Sequence, residues 1–350
     1  MSRARTGFFL KPPGWRRTPV LLAALGVALV VAVLASLGLG SVTMGPGRVV
    51  AAVLRSASAQ ATDVVIVWDL RLPRTLLAAL VGGALAAAGA AFQGLFRNPL
   101  ADPHVIGASS GAALGATVAI SSGLGATTLG FGPVPLAAFA GALATVAVVY
   151  AVAESGAGGA SVAGLLLAGT AMGSMLSALV SFLLIWQEQP WFHVFGWLLG
   201  GFSGRSWHHL WVALPWLAAG SGALWLMSRP LDALTGGDDV ARGLGLSIRT
   251  TRLLLVSAAG LVVAAAVAVS GIIGFVGLVA PHIARWLVGA GHARMIPVSV
   301  LLGAVLLVAA DTAARTLLAA TEIPVGILTA ALGGPYFLWL LKTRGRRMAA

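Results

Sequence analysis

The chain has 350 residues, of which 59% are hydrophobic and only 9% charged, with a net charge of +12. A soluble domain carries about 25% charged residues, so this composition and a mean hydropathy of +0.96 exclude a sizeable soluble domain and leave room for many membrane spans. The lack of Cys excludes disulfides, thiolate metal sites and redox pairs. In a membrane protein the placement of positive charge matters more than its sum, so the net charge does not point to nucleic acid.

Residues 1–18 form a basic tail containing Arg3, Arg5, Lys11, Arg16 and Arg17. The apolar run from Pro19 to Gly40 is too long for a signal-peptide core, and the expectation is an uncleaved first span. Further spans are expected near 75–95, 104–123, 134–153, 161–186, 207–228, 253–272, 274–288, 296–314 and 325–341. The stretch 42–70 is polar enough to lie outside the bilayer. The stretch 187–206 is aromatic and Gly-rich, with Trp191 and Trp197 suited to an interface. The 274–288 segment is short and contains Pro281, which suits a broken or tilted helix. The fold class is therefore all-α and polytopic, with about ten transmembrane helices in a single domain over 19–341 and a second basic tail at 342–350.

The positive-inside rule orients this layout. With the N-terminus in the cytoplasm, only Arg48, Arg55, Arg71, Arg74, Arg205 and Arg315 of the 22 Lys and Arg residues fall outside. That asymmetry puts both termini inside and favours an even number of spans. Gly89–Pro99 and Gly271–Pro281 share small, aromatic and Pro positions, as an inverted repeat would.

Lys occurs only at Lys11 and Lys342, and neither follows a Gly-rich loop, so the chain has no phosphate-cradling P-loop and is not an ATPase. Gly107 to Gly111 reads GASSG, a nucleophile-elbow pattern that is meaningful only on a strand-to-helix turn. Gly107, Gly111 and Gly115 recur every four residues, and close helix packing explains them better. His282 lies in apolar surroundings without a ligand partner at metal spacing. Asp311 and Arg315 sit four apart and can pair on one helix face, and a proton-relay role for Asp311 is the alternative. Thr170, Ser174, Ser177 and Ser181 recur at helical spacing; they line a polar path or act as hydrogen-bonding glue between helices. The polar inner loop 229–252 carries Gly237, Asp238, Asp239, Arg242 and Gly245. It reads as a solvated loop or as a short helix, acidic at its start, that docks on a cytoplasmic partner.

Arg71-Leu72-Pro73-Arg74-Thr75, Gly94–Gly115 (GLFRNPLADPHVIGASSGAALG), Trp197–Trp207 (WLLGGFSGRSW), Asp239–Gly245, Gly271–Arg285 (GIIGFVGLVAPHIAR), Leu302–Arg315 and Glu322–Gly334 (EIPVGILTAALGG) cover nearly all of the chain past the first helix. In combination they resemble the FecCD-type permeases of ABC importers for iron–siderophore complexes, haem and cobalamin. The resemblance implies a ten-helix importer permease of type II, acting as a homo- or heterodimer. Two separate ATPase subunits would bind ATP and Mg, and an extracytoplasmic binding protein would deliver the cargo. It implies no cofactor or metal held by this chain. It places ATPase coupling at about 236–246, and binding-protein docking at Arg71, Arg74 and Arg315. The pair Asp238-Asp239 departs from the family pattern, where Glu precedes a neutral residue. An iron(III)–siderophore chelate is the first expectation for the cargo, with cobalamin and haem as alternatives. Two rivals of other classes are an intramembrane serine hydrolase using Ser109 and an ion-coupled carrier using Asp311.

Overall fold

The computed structural model describes residues 18–40, 42–123, 132–156, 160–186, 191–318 and 321–348, and no strand occurs among them. The basic tail expected at 1–18 lies outside these residues apart from Thr18.

Helix α1 (Thr18–Gly38) leads into a short α2 (Pro46–Val53). Helix α3 (Ala61–Val65), a π-helical stretch at Ile66–Arg71 and α4 (Leu72–Leu95) then form one 35-residue helical length. A 3-10 turn at Pro103–Ile106 precedes α5 (Ala108–Ser121), followed by α6 (Pro133–Glu154), α7 (Val162–Trp186) and α8 (Trp191–Leu198). The chain continues through α9 (Trp207–Leu226), α10 (Ser228–Thr235), α11 (Asp238–Gly243) and α12 (Ile248–Ser270). It ends with α13 (Val276–Val288), α14 (His292–Thr316) and α15 (Val325–Met348).

Six of these lengths are long and apolar enough to cross a bilayer, and α9 with α10 makes a seventh, bent by 53°. With the shorter apolar helices α5, α13 and α15, the described residues hold ten apolar segments, the number expected from the sequence. Helices suit this setting because they satisfy their own backbone hydrogen bonds.

Two expectations need adjustment and a third holds. The second span does not begin near 75, because its helix already runs from Ala61 inside the stretch expected outside the bilayer. The 274–288 segment is a 13-residue helix separated from α12 by the non-helical residues 271–275, so the broken reading holds. The proposed repeat shares no local structure, since 89–95 ends a long helix whereas 271–275 is a break. The two stretches instead touch: a Cβ on Gly89 would lie 1.8 Å from the Gly277 carbonyl oxygen.

Helices α4 and α12 form the core, with 83% and 72% of their apolar windows buried, whereas α1 and α7 lie at the periphery with 11% and 17%. Small residues let the core helices approach closely. A Cβ on Gly82 of α4 would lie 2.3 Å from the Gly303 oxygen of α14, and one on Gly303 would lie as close to the Gly82 oxygen. The same holds for α5 on α6, where Cβ atoms on Gly111 and Gly115 would meet the Gly141 and Ala137 oxygens at 2.3 and 2.1 Å.

Polar contacts gather at two ends of the bundle. At one, Arg74 reaches Glu322, Arg315 reaches Ser36, and the Trp207 indole donates to the Trp68 carbonyl. At the other, Arg97 and Arg252 reach Asp238, Arg249 reaches Glu154, and His292 reaches Asp232. Each contact joins segments that the span layout puts on the same side.

Candidate transport and partner-contact sites

At the Glu322 end, Arg74 sits in the first turn of α4. Its Nε and Nη2 donate to the Asp311 carboxylate of α14 at 2.8–3.1 Å, and its Nη1 donates to Glu322 at 2.8 Å. Arg315 lies 3.3 Å from Asp311 through Nε and donates from Nη2 to the Ser36 hydroxyl at 2.6 Å. Ser36 in turn meets the Thr75 hydroxyl at 2.9 Å. Arg71 donates to the carbonyls of Leu37 and Val42, which fixes the chain leaving α1. The cluster thereby ties α1, α4, α14 and the approach to α15 together.

Arg71, Arg74 and Arg315, the residues expected at the binding-protein docking surface, are turned inward. They are 6%, 8% and 8% exposed and committed to internal acceptors. The expected Asp311–Arg315 pair is present, but the two-nitrogen grip from Arg74 is the closer contact, as a planar guanidinium on a carboxylate favours. Glu322 remains half exposed at 45%. Cavities of about 240 and 380 Å³ flank the Arg74–Glu322 bridge, one reaching Trp197 and Arg205, the other Gly40 and Leu70.

Helix α7 is exposed over most of its surface. Leu165, Gly169, Leu176 and Val180 are buried, whereas Thr170, Ser174, Ser177 and Ser181 are all exposed. The Thr170 and Ser181 hydroxyls donate to their own helix, at Leu167 and Ser177, both at 3.0 Å. Among the described residues neither hydroxyl bonds to another helix. A hydroxyl-bearing face on an apolar span is poorly suited to lipid and well suited to a water-filled path or a second copy.

At the opposite end, Gly237 (φ +119°) and Gly245 (φ +81°) bracket the single-turn helix α11 in backbone conformations that favour glycine. The Asp238 carboxylate accepts from Arg97 at 2.6 Å and from Arg252 at 2.8–2.9 Å. Burial pushes this carboxyl up, but attraction and hydrogen bonds from Arg252 and Arg97 outweigh burial and hold it below the usual carboxylate range. Asp239 faces outward and pairs with the exposed Arg242 at 2.8 Å, a contact of little energetic weight. Of the five residues expected in coupling, Asp238 is thus turned inward, Asp239 and Arg242 face solvent, and the two glycines shape the backbone. Sequence reasoning passed over Val240 on this helix and Leu244 at its C-cap, which are 51% and 67% exposed. An apolar residue in the most polar loop was the available signal. Arg97 and Arg252 gave no local signal.

Ser109 is buried, and its hydroxyl contacts His104 Nδ1. The other His104 nitrogen meets the Ile273 carbonyl at 3.0 Å, where a catalytic triad requires an acid. The GASSG stretch follows a 3-10 turn rather than a strand, and its glycines pack α5 against α6. His282 stands edge-on to Trp286 at 4.8 Å. No group of three or more potential metal ligands occurs among the described residues.

Three comparisons bear on this arrangement. The chain is 46% identical over 283 residues to the cobalamin import system permease protein of Halobacterium salinarum, covering 81% of this chain and 75% of that one. It is 41% identical to the hemin transport system permease protein of Yersinia pestis (91% and 94% covered) and 39% identical to the vitamin B12 import system permease protein of Escherichia coli (93% and 95%). A solved structure described as an inward-facing, metal-chelate type ABC transporter superposes with a TM-score of 0.82 at 33% identity, covering 93% of this chain and 99% of the other. The family model of the FecCD transport family matches residues 28–343, and the chain belongs to that family as a multi-pass permease of an ABC importer.

Proposed function

We propose that this permease imports a cobalamin-class metal chelate across the cell membrane, with both termini in the cytoplasm. The hydroxyl face of α7 carries the proposal. Helix α7 contains no charged residue, and its exposed side offers Thr170, Ser174, Ser177 and Ser181. Neutral hydroxyls match a cargo whose periphery is mostly amides better than one with two carboxylates, such as haem. The names of the Halobacterium and Escherichia relatives support the same cargo over the iron(III)–siderophore first expected.

Two copies would face each other across the path. Separate ATPase subunits, holding ATP and Mg, would press on α11 at the cytoplasmic end, where Val240 and Leu244 supply an apolar contact. An extracytoplasmic binding protein would dock at the Glu322 end, which the buried arginines shape from beneath. ATP binding would shift the pair between outward- and inward-open packings. This chain performs no covalent chemistry in that cycle.

Uptake in a strain lacking this gene tests the cargo. Complementation is expected to restore accumulation of labelled cyanocobalamin and not of labelled hemin or ferric siderophore. Restored uptake of the siderophore alone would return the cargo to the first expectation, and of hemin alone to the haem alternative.

A further inference from the structure

Helix α11 has six residues and cannot hold a position by its own hydrogen bonds. What fixes it is the Asp238 carboxylate, which is shared between two arginines from different parts of the chain. Arg97 follows α4 and also donates to the Leu234 carbonyl at 2.9 Å, so it fastens the end of α10 as well. Arg252 is the fifth residue of α12 and is 8% exposed. One of its terminal nitrogens grips Asp238, and the other donates to the Ala160 carbonyl at 3.1 Å.

Ala160 lies two residues before the start of α7. Ala160 is itself braced: its amide donates to Glu154 at 3.1 Å, and Glu154 pairs with Arg249 of α12 at 2.7 Å. A continuous polar linkage therefore runs from α11 through Arg252 to the foot of α7. Helix α7 is long and, with 17% of its apolar window buried, loosely held by the rest of the chain. At 1.5 Å per residue, Thr170 lies roughly 12 Å along the helix from this foot.

The neighbouring carboxylates of α11 are thus divided. The Asp239 side chain is 99% exposed, whereas that of Asp238 is 31% exposed and points into the joint. An acidic side chain in a first turn also suits the helix dipole, but that effect does not choose between the two residues. The contacts to Arg97 and Arg252 do.

We propose that Asp238 is a positioning residue that carries movement of α11, through Arg252, to the base of the path-lining helix α7. This rests on the reading of α11 as the ATPase-contact helix. The charge-assisted fork of Arg252 suits the task because its two ends hold two elements at once, which a lysine cannot reproduce.

The test uses the permease assembled with its ATPase and binding protein in liposomes, on a Ser174→Cys background. The native chain has no Cys, so within the permease only position 174 is labelled. In Asp238→Asn the ATPase is expected to stay bound and to hydrolyse ATP near the parent rate, while cargo moved per ATP falls about tenfold. The nucleotide-dependent change in thiol labelling at position 174 should disappear, and Asp238→Glu should restore both readouts. Arg252→Lys, which keeps the charge next to Asp238, should lower the same ratio without loss of assembly. A normal ratio in either Asp238→Asn or Arg252→Lys would overturn the proposal. So would a joint fall of assembly, hydrolysis and transport in both, since that marks a purely structural role. Cross-linking from Leu244→Cys to the ATPase separates the two readings. No cross-link means that α11 is not the contact helix, whereas a cross-link with a normal ratio removes only the role of Asp238.

Discussion

At the Glu322 end, Arg74 and Arg315 hold Asp311 while Arg71 holds the carbonyls leaving α1, each with less than a tenth of the residue exposed, and the cluster is rooted in the long helices α1, α4 and α14. At the Asp238 end, two arginines share one carboxylate that sits on a six-residue helix and keeps a third of its side chain in solvent. The same chemical groups serve different ends. Deep burial among long helices makes the first cluster a fixed frame, because its buried charges depend on one another rather than on water. Partial exposure and a short helix leave the second able to shift as a unit.

If this contrast is right, Arg74→Ala should be the most damaging change, costing about 3 kcal/mol by leaving buried Asp311 with only the longer contact to Arg315. Melting of the detergent-solubilised protein would show it, and Arg74→Lys should recover only part of the loss because it cannot grip with two nitrogens. An unchanged melting temperature with weakened binding-protein docking would instead make the cluster an exposed rim. Gly82→Leu comes next. It forces a side chain against the Gly303 backbone, and overpacking of this kind costs about 1–3 kcal/mol, again read by melting.

At the other end the effects should be smaller and appear in coupling. Gly245 has φ +81° with open space around its Cα, so Gly245→Val meets only backbone strain of about 1–2 kcal/mol. Retention of the ATPase during purification should weaken, and Gly245→Asn should be milder. The gentlest test leaves transport intact: Ser174→Cys should react with a small polar thiol reagent, whereas Leu176→Cys, at a buried position, should not. Equal protection of both would return the α7 hydroxyls to a packing role.

Much of the fold was legible because a spanning helix needs a long apolar run, and such runs stand out even when their ends do not. The helix from Ala61 to Leu95 shows the limit, since Asp63, Asp69 and Arg71 hid its first turns. The site was less legible for a related reason. The Asp311–Arg315 pair follows from spacing within one helix. Arg74–Asp311 joins residues 237 positions apart, and only the folded chain reveals which arginine holds the carboxylate. Arg252 to Ala160 was hidden more deeply, because its acceptor is a backbone carbonyl that any residue would offer. The positive φ at Gly245, by contrast, was foreseeable from a glycine closing a short helix.

Reconstitution addresses the account most directly. The permease, its ATPase and its binding protein should be placed in sealed liposomes with labelled cyanocobalamin on the binding-protein side. The account predicts accumulation that requires ATP on the α11 side and stops when either partner is omitted. Accumulation driven by an ion gradient without the ATPase would contradict it.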